Sequence, residues 1–198
     1  MNISSEQLTH MAFISTDTTG FSGNDELLRV TLMNIDGEVV FNKMVLTEHK
    51  TGWQDAEQLH GISPDDIEMH GISIEQIKHE LTQALKNYTH VVMYNAEFHT
   101  NFLPAECLKN TKPICAMEWS IAYINNHPSY SQLSNYLKLP VLASLLEVND
   151  SEFLRNSINN CKFTRLVWLE MIKNINRLEN DMGQKFIDCV ISTNDLVA

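Results

Sequence analysis

The chain has 198 residues, of which 43% are hydrophobic and 20% are charged, and these proportions are those of a globular protein. They exclude a disordered chain, a coiled coil and a collagen-like fibre. Acidic residues outnumber basic residues by 25 to 14, which gives a formal net charge of −11. A protein that coats nucleic acid non-specifically needs a basic surface to displace counterions, so this charge argues against such a role.

The sequence contains no apolar run of the roughly 18–20 residues that cross a bilayer, so we expect no membrane association. Its first residues carry neither the basic cluster nor the long apolar run of a secretory signal, and we expect a cytoplasmic protein. No two cysteines form a CxxC pair, which favours reduced, buried thiols over a metal site. The cysteines are Cys107, Cys115, Cys161 and Cys189.

Three short segments near the start of the chain predict an antiparallel meander. Residues 11–16 form an apolar run that ends in a polar, glycine-terminated loop, as a buried strand does. Residues 28–32 alternate apolar and polar side chains, which indicates a half-buried strand. A hairpin turn at residues 36–37 then leads into a returning strand over residues 39–46.

The middle of the chain predicts a loop region, a helix and two strands. Residues 50–72 are polar and rich in loop-forming residues, and the acidic stretch over residues 65–68 is typical of a solvated helix start. Residues 73–76 fit a capping box, and apolar side chains at helical spacing predict an amphipathic helix over residues 74–88. A buried strand over residues 91–94 and a short strand over residues 113–117 follow.

Helices dominate the rest of the chain. We expect them over residues 118–125, 130–138, about 158–177, and 181–192. The long helix is expected to direct Phe163, Val167, Trp168, Met171, Ile172 and Ile175 inwards. No Pro- or Gly-rich linker divides the sequence, so we expect one α/β domain over residues 1–198, with a core over about 11–177 and a helical extension over about 178–198.

Two strings at the ends of predicted strands carry the main functional signal. They are residues 13–20 (FISTDTTG) and residues 94–103 (YNAEFHTNFL), with HGIS at residues 60–63 between them. They resemble, in order and spacing, the motifs of the DnaQ-like DEDDh 3'–5' exonucleases, namely Asp-x-Glu-Thr-Thr-Gly and Asn-Ala-x-Phe-Asp-x-x-Phe-Leu. Residues 102–104 and 114–117 look most like the exonuclease X branch of that family.

The resemblance implies an α/β fold of the ribonuclease H-like type. In it, a mixed five-stranded sheet combines an antiparallel meander with parallel strands and is flanked by helices. The family's activity is hydrolysis from the 3' end, in which carboxylates hold two divalent metal ions and a histidine acts as general base.

This sequence departs from the family at each catalytic position. Ser15 and Asp17 stand where the first motif has Asp and Glu, and His99 stands where the second has Asp. The third motif aligns Arg155 with the general-base histidine and Asn160 with the last Asp. One carboxylate of four remains, and we expect no Mg²⁺ pair to assemble around it. Asp17 and His99 are the remaining candidate ligands for one softer metal ion, but two ligands are too few for a strong site.

The residues around these positions are better kept. In the family this region holds the terminal nucleotide, and the corresponding candidate nucleic-acid-binding residues are Thr18, Thr19, Gly20, Phe21, His60, Asn95 and Phe98. The same side chains would also be needed simply to maintain the fold. A second candidate is a basic stripe on the long helix, which either contacts phosphates or an acidic partner or is an ordinary solvated face. The stripe consists of Lys162, Arg165, Lys173 and Arg177.

Three functions are compatible with this pattern. The first is a catalytically inactive exonuclease-like protein that acts as a binding or regulatory module for a protein complex, for nucleic-acid ends, or for both; the charge favours a protein partner. The second is an active exonuclease on single-stranded DNA or RNA that uses Mg²⁺ or Mn²⁺ and takes its carboxylates from Glu97, Glu118 or Asp150. The third is an acidic mimic of nucleic acid, although the acids are scattered. The resemblance also makes a homodimer an expectation.

Overall fold

A computed structural model describes residues 8–126, 137–148 and 156–174. The strands in this part of the chain are β1 (Met11–Thr18), β2 (Leu27–Asn34), β3 (Val39–Met44), β4 (His90–Met93) and β5 (Lys112–Cys115). The helices are α1 (Gln54–His60), α2 (Pro64–His70), α3 (Ile74–Ala84), α4 (Ala96–Phe102), α5 (Ala116–Asn126), α6 (Leu139–Leu145) and α7 (Ser157–Asn174), and a 3-10 turn spans Ala105–Leu108.

The five strands form one mixed sheet in the order β3-β2-β1-β4-β5. β1, β2 and β3 are antiparallel neighbours, whereas β4 runs parallel to β1 and β5 runs parallel to β4. The predicted meander and the predicted mixed sheet are both confirmed. Because β1 and β4 are parallel, their carboxyl ends lie at the same edge of the sheet, and the two motif-bearing segments meet there.

Both faces of the sheet are covered, and β1 is buried along its whole length. Phe13 points to the face on which α7 packs, where it joins a cluster that includes Trp168. Ile14 points to the opposite face, where Ile77 and Leu81 of α3 cover it. Each such side chain stabilises the fold by about 1.5–3 kcal/mol when fully buried.

The burial of β2 corrects one prediction from the sequence. The alternation over residues 28–32 predicted a half-buried strand, but seven of the eight residues of β2 are buried. Arg29 and Thr31 therefore do not face solvent. They lie on the face that α7 covers, which places a guanidinium group inside the protein.

The segment predicted to be rich in loops contains two short helices, α1 and α2, and the helix start predicted over residues 65–68 is confirmed in α2. Ser63 and Asp66 form a full capping box at the start of α2, because each side chain accepts the backbone N–H of the other residue, at 3.1 Å and 2.9 Å. The indole of Trp53 donates to the carbonyl of Ile62 at 2.7 Å and packs in a small satellite core with Ile67. These helices have seven residues each, so neither shows the long apolar periodicity that reveals a helix in a sequence.

The predicted capping box at the start of α3 forms only in part. Ser73 accepts the backbone N–H of Gln76 at 3.2 Å, but the amide of Gln76 donates to Glu80 instead of returning to Ser73. The helix itself ends at Ala84, four residues before the predicted end.

Other boundaries differ by a few residues. β3 ends at Met44, and Val45 makes a single parallel bridge to Ile72 instead of continuing the strand. α5 begins at Ala116, two residues earlier than predicted. The predicted helix over residues 130–138 lies outside the described residues except for 137 and 138, which are not helical.

Several other predictions fall wholly or partly beyond the described ranges. The helix over residues 181–192 and the extension over residues 178–198 lie outside them, as does Cys189. The predicted long helix corresponds to α7, and its residues 175–177 also lie outside. Cys107, Cys115 and Cys161 are free thiols. No helix in the described ranges combines the length and apolar character needed to cross a membrane.

Candidate functional site

A cavity of about 390 Å³ opens where β1 and β4 end. Its walls come from the ends of these strands, from α1, α4 and α6, and from Asn160 on α7. The fold thus brings together nine of the residues that the sequence singled out. They are Asp17, Thr18, Gly20, Phe21, His60, Asn95, Phe98, His99 and Asn160.

The other predicted residues of this region do not line the cavity. Ser15 is buried on the same face of β1 as Asp17, and its hydroxyl has no hydrogen-bond partner among the described residues. Thr19 is also buried, and its hydroxyl bonds to Asp25 at 3.0 Å. Arg155 lies outside the described residues.

Asp17, which is 5% exposed, is held by a buried arginine on the neighbouring strand. The register of β1 against β2 pairs Asp17 directly with Arg29, so the two side chains share a face of the sheet. Arg29 Nε donates to Asp17 Oδ2 at 2.7 Å. Arg29 Nη2 lies 2.7 Å from the same oxygen, as an ion-pair contact that is bent away from hydrogen-bond geometry.

The first turn of α7 completes the surroundings of this ion pair. The backbone N–H of Ser157 donates to both oxygens of Asp17, at 2.9 Å and 3.2 Å. The hydroxyl of Ser157 lies 3.0 Å from Arg29 Nε and 2.8 Å from the hydroxyl of Thr31. Both carboxylate oxygens of Asp17 are therefore engaged within the protein, and the pair ties α7 to the sheet.

Sequence reasoning did not identify Arg29 or Ser157. The alternation in β2 assigned Arg29 to solvent, because a charged residue between Leu28 and Val30 is typical of an exposed strand face. A signal was nevertheless present. A helix that covers both β1 and β2 leaves no solvent for the side chain of Arg29, and Asp17 is the acid opposite it.

His99 is also fully committed to contacts within the protein. Its Nδ1 accepts the backbone N–H of Thr16 at 3.2 Å and lies 2.9 Å from the hydroxyl of Thr16. Because Nδ1 accepts, Nε2 carries the proton, and it donates to the carbonyl of Tyr94 at 3.0 Å. Burial lowers the pKa of His99 to about 4, so the imidazole is neutral at physiological pH.

His60 is fixed in the same manner at the end of α1. Its Nδ1 accepts the backbone N–H of Ile62 at 3.1 Å, and its Nε2 donates to the carbonyl of Thr18 at 3.3 Å. Burial lowers the pKa of His60 as well, although Asp17 opposes this shift. Both histidines of the cavity are thus neutral, and each fastens a neighbouring segment to the end of β1.

Aromatic rings form the mouth of the cavity. Phe21 is 78% exposed, and its ring centroid lies 6.0 Å from that of Phe98. Phe98 lies in turn 5.1 Å from Phe102. The backbone of Asn95, at the start of α4, adopts a left-handed conformation with φ of 66° and turns the chain sharply from β4 into this helix.

Solved structures of several exonucleases share this architecture. Exonuclease X in complex with 5' overhanging duplex DNA has a TM-score of 0.63 and 17% identity, and the match covers 87% of this chain and 99% of that one. E. coli exonuclease I in complex with a dT13 oligonucleotide has a TM-score of 0.67 and 11% identity, and the match covers 90% of this chain and 42% of that one. The Neurospora crassa Pan2 catalytic unit has a TM-score of 0.62 and 15% identity, and the match covers 93% of this chain and 29% of that one. No protein-family model matches the sequence, and no curated protein does.

The chain has the ribonuclease H-like fold of the DnaQ-like exonucleases. This fold was predicted from the strings at the ends of β1 and β4, and it is confirmed. At 11–17% identity the likeness is one of fold, and the chain spans less than half the length of exonuclease I and of the Pan2 unit.

The residues that the sequence resemblance aligns with the metal ligands of the DnaQ-like exonucleases do not fit a pair of divalent metal ions. Asp17 has both oxygens engaged by Arg29 and Ser157, and His99 has both ring nitrogens in hydrogen bonds. The other positions carry a neutral hydroxyl (Ser15) and a neutral amide (Asn160). Within the described ranges, no three His, Cys, Asp or Glu side chains come together as a group that could hold a metal ion.

The carboxylates offered as substitutes do not reach the cavity either. Glu97 and Glu118 are exposed and do not line it, and Asp150 lies outside the described residues. Among the described residues, Asp17 contributes the sole carboxylate of the cavity wall, and Arg29 neutralises it.

The predicted basic stripe on α7 is largely committed elsewhere. Arg165 Nε donates to the carbonyl of Ile35 in the hairpin between β2 and β3. Lys173 forms an ion pair with Glu170 at 3.1 Å. Lys162 is exposed, and Arg177 lies outside the described residues. Arg165 and Lys173 are therefore engaged in intramolecular contacts, which favours the interpretation as an ordinary helix face.

Proposed function

We propose that this protein is a catalytically inactive exonuclease-fold protein that binds an unpaired nucleic-acid end without cleaving it. One observation carries the proposal. The carboxylate of Asp17 is held by the guanidinium of Arg29, so a fixed positive charge lies beside the position where the fold's hydrolytic members hold metal ions.

The charge balance of the cavity supports this proposal. Four carboxylates would offset the charge of two divalent ions, whereas here the charges of Asp17 and Arg29 cancel and the two histidines are neutral. At an effective dielectric constant of about 20, a divalent ion about 4 Å from each group would be repelled by the guanidinium and attracted by the carboxylate by roughly 8 kcal/mol each, so the pair gives the ion no net attraction. The absence of a net attraction opposes metal-dependent hydrolysis.

The shape and lining of the cavity support retained binding. Its wall combines the apolar side chains of Phe21, Leu59, Phe98 and Leu139 with a few polar groups such as Asn95. Ligand cavities of several hundred Å³ with mainly apolar walls and a few polar groups commonly bind small planar groups, and a nucleobase is one of these.

The overall charge shapes how the protein would act. A net charge of −11 gives no long-range attraction for a polyanion. We therefore propose that the protein works within a protein complex whose other component brings the nucleic-acid end to the cavity, and that its role there is regulatory.

The direct test is degradation of a 5'-labelled single strand with Mg²⁺, with Mn²⁺ and with chelator. The natural chain is expected to leave the strand intact in all three conditions. Exonuclease I in the same buffers is the positive control. Metal-dependent shortening from the 3' end by the natural chain would establish the competing function, an active exonuclease. In that case Glu97→Gln and Glu118→Gln would show whether these acids supply the site.

Restored variants test the assignment of the lost site. One variant carries Ser15→Asp, His99→Asp, Arg155→His and Asn160→Asp, and a second adds Arg29→Met. The second variant is expected to gain Mg²⁺-dependent activity, and the first is expected to stay inactive because the guanidinium remains. Thermal unfolding of both variants separates a failure to fold from a failure to cut. Activity in the first variant would show that Arg29 does not block the site.

A further inference from the structure

The carboxylate of Asp25 lies at the centre of the loop between β1 and β2. Its Oδ1 accepts the hydroxyl of Thr19 at 3.0 Å and lies 3.3 Å from Lys50 Nζ. Its Oδ2 accepts the backbone N–H of Ser22 at 2.8 Å and the hydroxyl of Ser22 at 2.7 Å. Four donors from three residues therefore converge on one side chain.

The backbone of Gly20 gives independent evidence of this arrangement. A Cβ atom added to Gly20 would lie 2.5 Å from Asp25 Oδ2 and 2.7 Å from Asp25 Cγ. The carboxylate thus packs directly against the bare glycine, and any side chain at this position would displace it. The glycine of the first motif is needed here because it leaves room for Asp25.

The neighbouring residue fastens the loop to the next segment of the chain. The carboxylate of Glu26 accepts the backbone N–H groups of Glu48, His49 and Lys50, at distances of 2.6–3.2 Å. The backbone N–H of Glu26 donates to the hydroxyl of Thr19 at 2.9 Å, and the N–H of Thr19 donates back to the carbonyl of Glu26 at 2.8 Å. The loop is fixed at its base by these bonds.

The ring that this loop carries makes few contacts of its own. Phe21 lies between Gly20 and Ser22, lines the cavity, and is 78% exposed. Within the described residues its one ring-to-ring contact is with Phe98. The position of Phe21 is therefore set by the backbone on either side of it. Asp25 holds that backbone at Ser22, and the hydroxyl of Thr18 holds it at Gly20, whose carbonyl accepts at 2.6 Å.

We propose that Asp25 is a positioning residue that holds Phe21 over the cavity as a preformed platform for an unpaired terminal base. This inference rests on the proposed function. A preformed platform avoids the loss of conformational freedom that a mobile loop would undergo on binding. The hydrogen bonds from Ser22 hold the pKa of Asp25 well below its usual range, so Asp25 stays ionised across the physiological pH range. The contacts of its carboxylate with Thr19, Ser22 and Lys50, which we call the clasp, therefore stay intact over that range.

The probe is a short oligothymidylate with the fluorescent base 2-aminopurine at its 3' end, titrated with the full chain in chelator. Stacking on an aromatic ring quenches this base, so the titration gives both the Kd and the quench at saturation. The natural chain is expected to bind and quench. Phe21→Ala is expected to remove the quench and to raise the Kd by about 5- to 150-fold, the range measured for single base–aromatic stacks.

Two different changes should release the clasp and give the same result. Asp25→Asn replaces one of the two acceptor oxygens by an NH2 donor, so either Ser22 or Thr19 loses its acceptor, and Gly20→Ala displaces the carboxylate without changing the charge. Each is expected to raise the Kd by about tenfold and to reduce the quench at saturation. Asp36→Asn, in the other hairpin, removes the same charge from an exposed site and is expected to match the natural chain.

Each outcome has a distinct meaning. If the natural chain neither binds nor quenches, the proposed function is wrong and the inference fails with it. If Phe21→Ala weakens binding while Asp25→Asn and Gly20→Ala do not, the proposed function stands and the positioning role is refuted. If Asp25→Asn lowers the unfolding midpoint but keeps the full quench and the same Kd, Asp25 is merely structural and the inference is refuted.

Discussion

Replacing Arg29 by methionine should destabilise the protein severely. The change removes two contacts of 2.7 Å to a carboxylate that is 5% exposed, and it leaves that carboxylate with the N–H of Ser157 alone. Breaking a buried ion pair by removing one partner costs about 3–5 kcal/mol, because the other charge stays buried without compensation. This is a large share of the roughly 5–15 kcal/mol that stabilises a typical domain.

The double variant Asp17→Asn with Arg29→Met should recover most of this loss. The asparagine introduced by the first change would still accept the N–H of Ser157 through its side-chain oxygen, and no charge would remain buried. Replacing both partners of a buried pair by neutral groups is often close to neutral, so we expect the double variant to lie within about 1–2 kcal/mol of the natural chain. The double-mutant cycle then gives the coupling between the two residues.

The measurement is urea unfolding of the natural chain, both single variants and the double variant, with free energies obtained by linear extrapolation. Lys78→Met is the matched control, because it removes an ion pair with Glu75 of similar length on an exposed helix face and should change little. A loss for Arg29→Met no larger than that for Lys78→Met would refute the reasoning. Arg29 would then not be the group that neutralises Asp17, and its exclusion of metal ions would have no basis.

Three further predictions concern pH, packing and metal ions. Because burial lowers the pKa of His99 to about 4, from 6.5 in the unfolded chain, the contribution of His99 to the free energy of unfolding should be constant well above pH 6.5 and fall by about 3 kcal/mol as pH drops towards 4. Urea titrations at several pH values should show a shallower slope for His99→Asn, and the slope that remains belongs to other groups such as His60 and His90, whose pKa values burial also lowers. Gly71→Ala should destabilise the protein by about 1–3 kcal/mol, since its Cβ would lie 2.5 Å from the carbonyl oxygen of Ile67, whereas Gly52→Ala, with open space around it, should not destabilise in the same assay. Millimolar Mg²⁺ should leave the melting temperature of the natural chain unchanged and raise that of the restored variant carrying Arg29→Met; a rise for the natural chain would contradict the assignment of the site.

The sequence predicted the sheet well because its strands are short apolar or alternating runs separated by clear turns. The hairpin at residues 36–37 fixed the antiparallel order of β2 and β3, and the strings at the ends of β1 and β4 indicated that these ends meet. Helix α1 was missed, and only the start of α2 was predicted, because each has two turns and is held by a local capping box or a satellite core instead of a long apolar stripe. Periodicity is not informative at that length.

The sequence predicted which residues lie at the cavity better than it predicted their hydrogen bonds. The motif strings located Asp17, Phe21, His60 and His99 at one site, but a string of letters does not say that both nitrogens of His99 are already bonded. Hydrogen bonds of this kind join residues far apart in the chain, since Thr16 and His99 are 83 positions apart. They depend on strand pairing and on the packing of α4, which a single sequence does not encode in any local pattern.

Arg29 supplies the positive charge that the buried carboxylate of Asp17 needs. A carboxylate at the end of a covered strand needs a positive charge nearby, and metal ions supply it where several carboxylates act together. Once neutral residues stand at the other ligand positions, Asp17 alone is too weak an anchor for a divalent ion, yet it is still too buried to stay ionised without a partner. An arginine at the directly paired position of β2 satisfies that need from within the chain. We therefore propose that the absence of neighbouring carboxylates and the presence of Arg29 are two parts of one electrostatic arrangement, and we expect Mg²⁺-dependent activity only from a variant that reverses both.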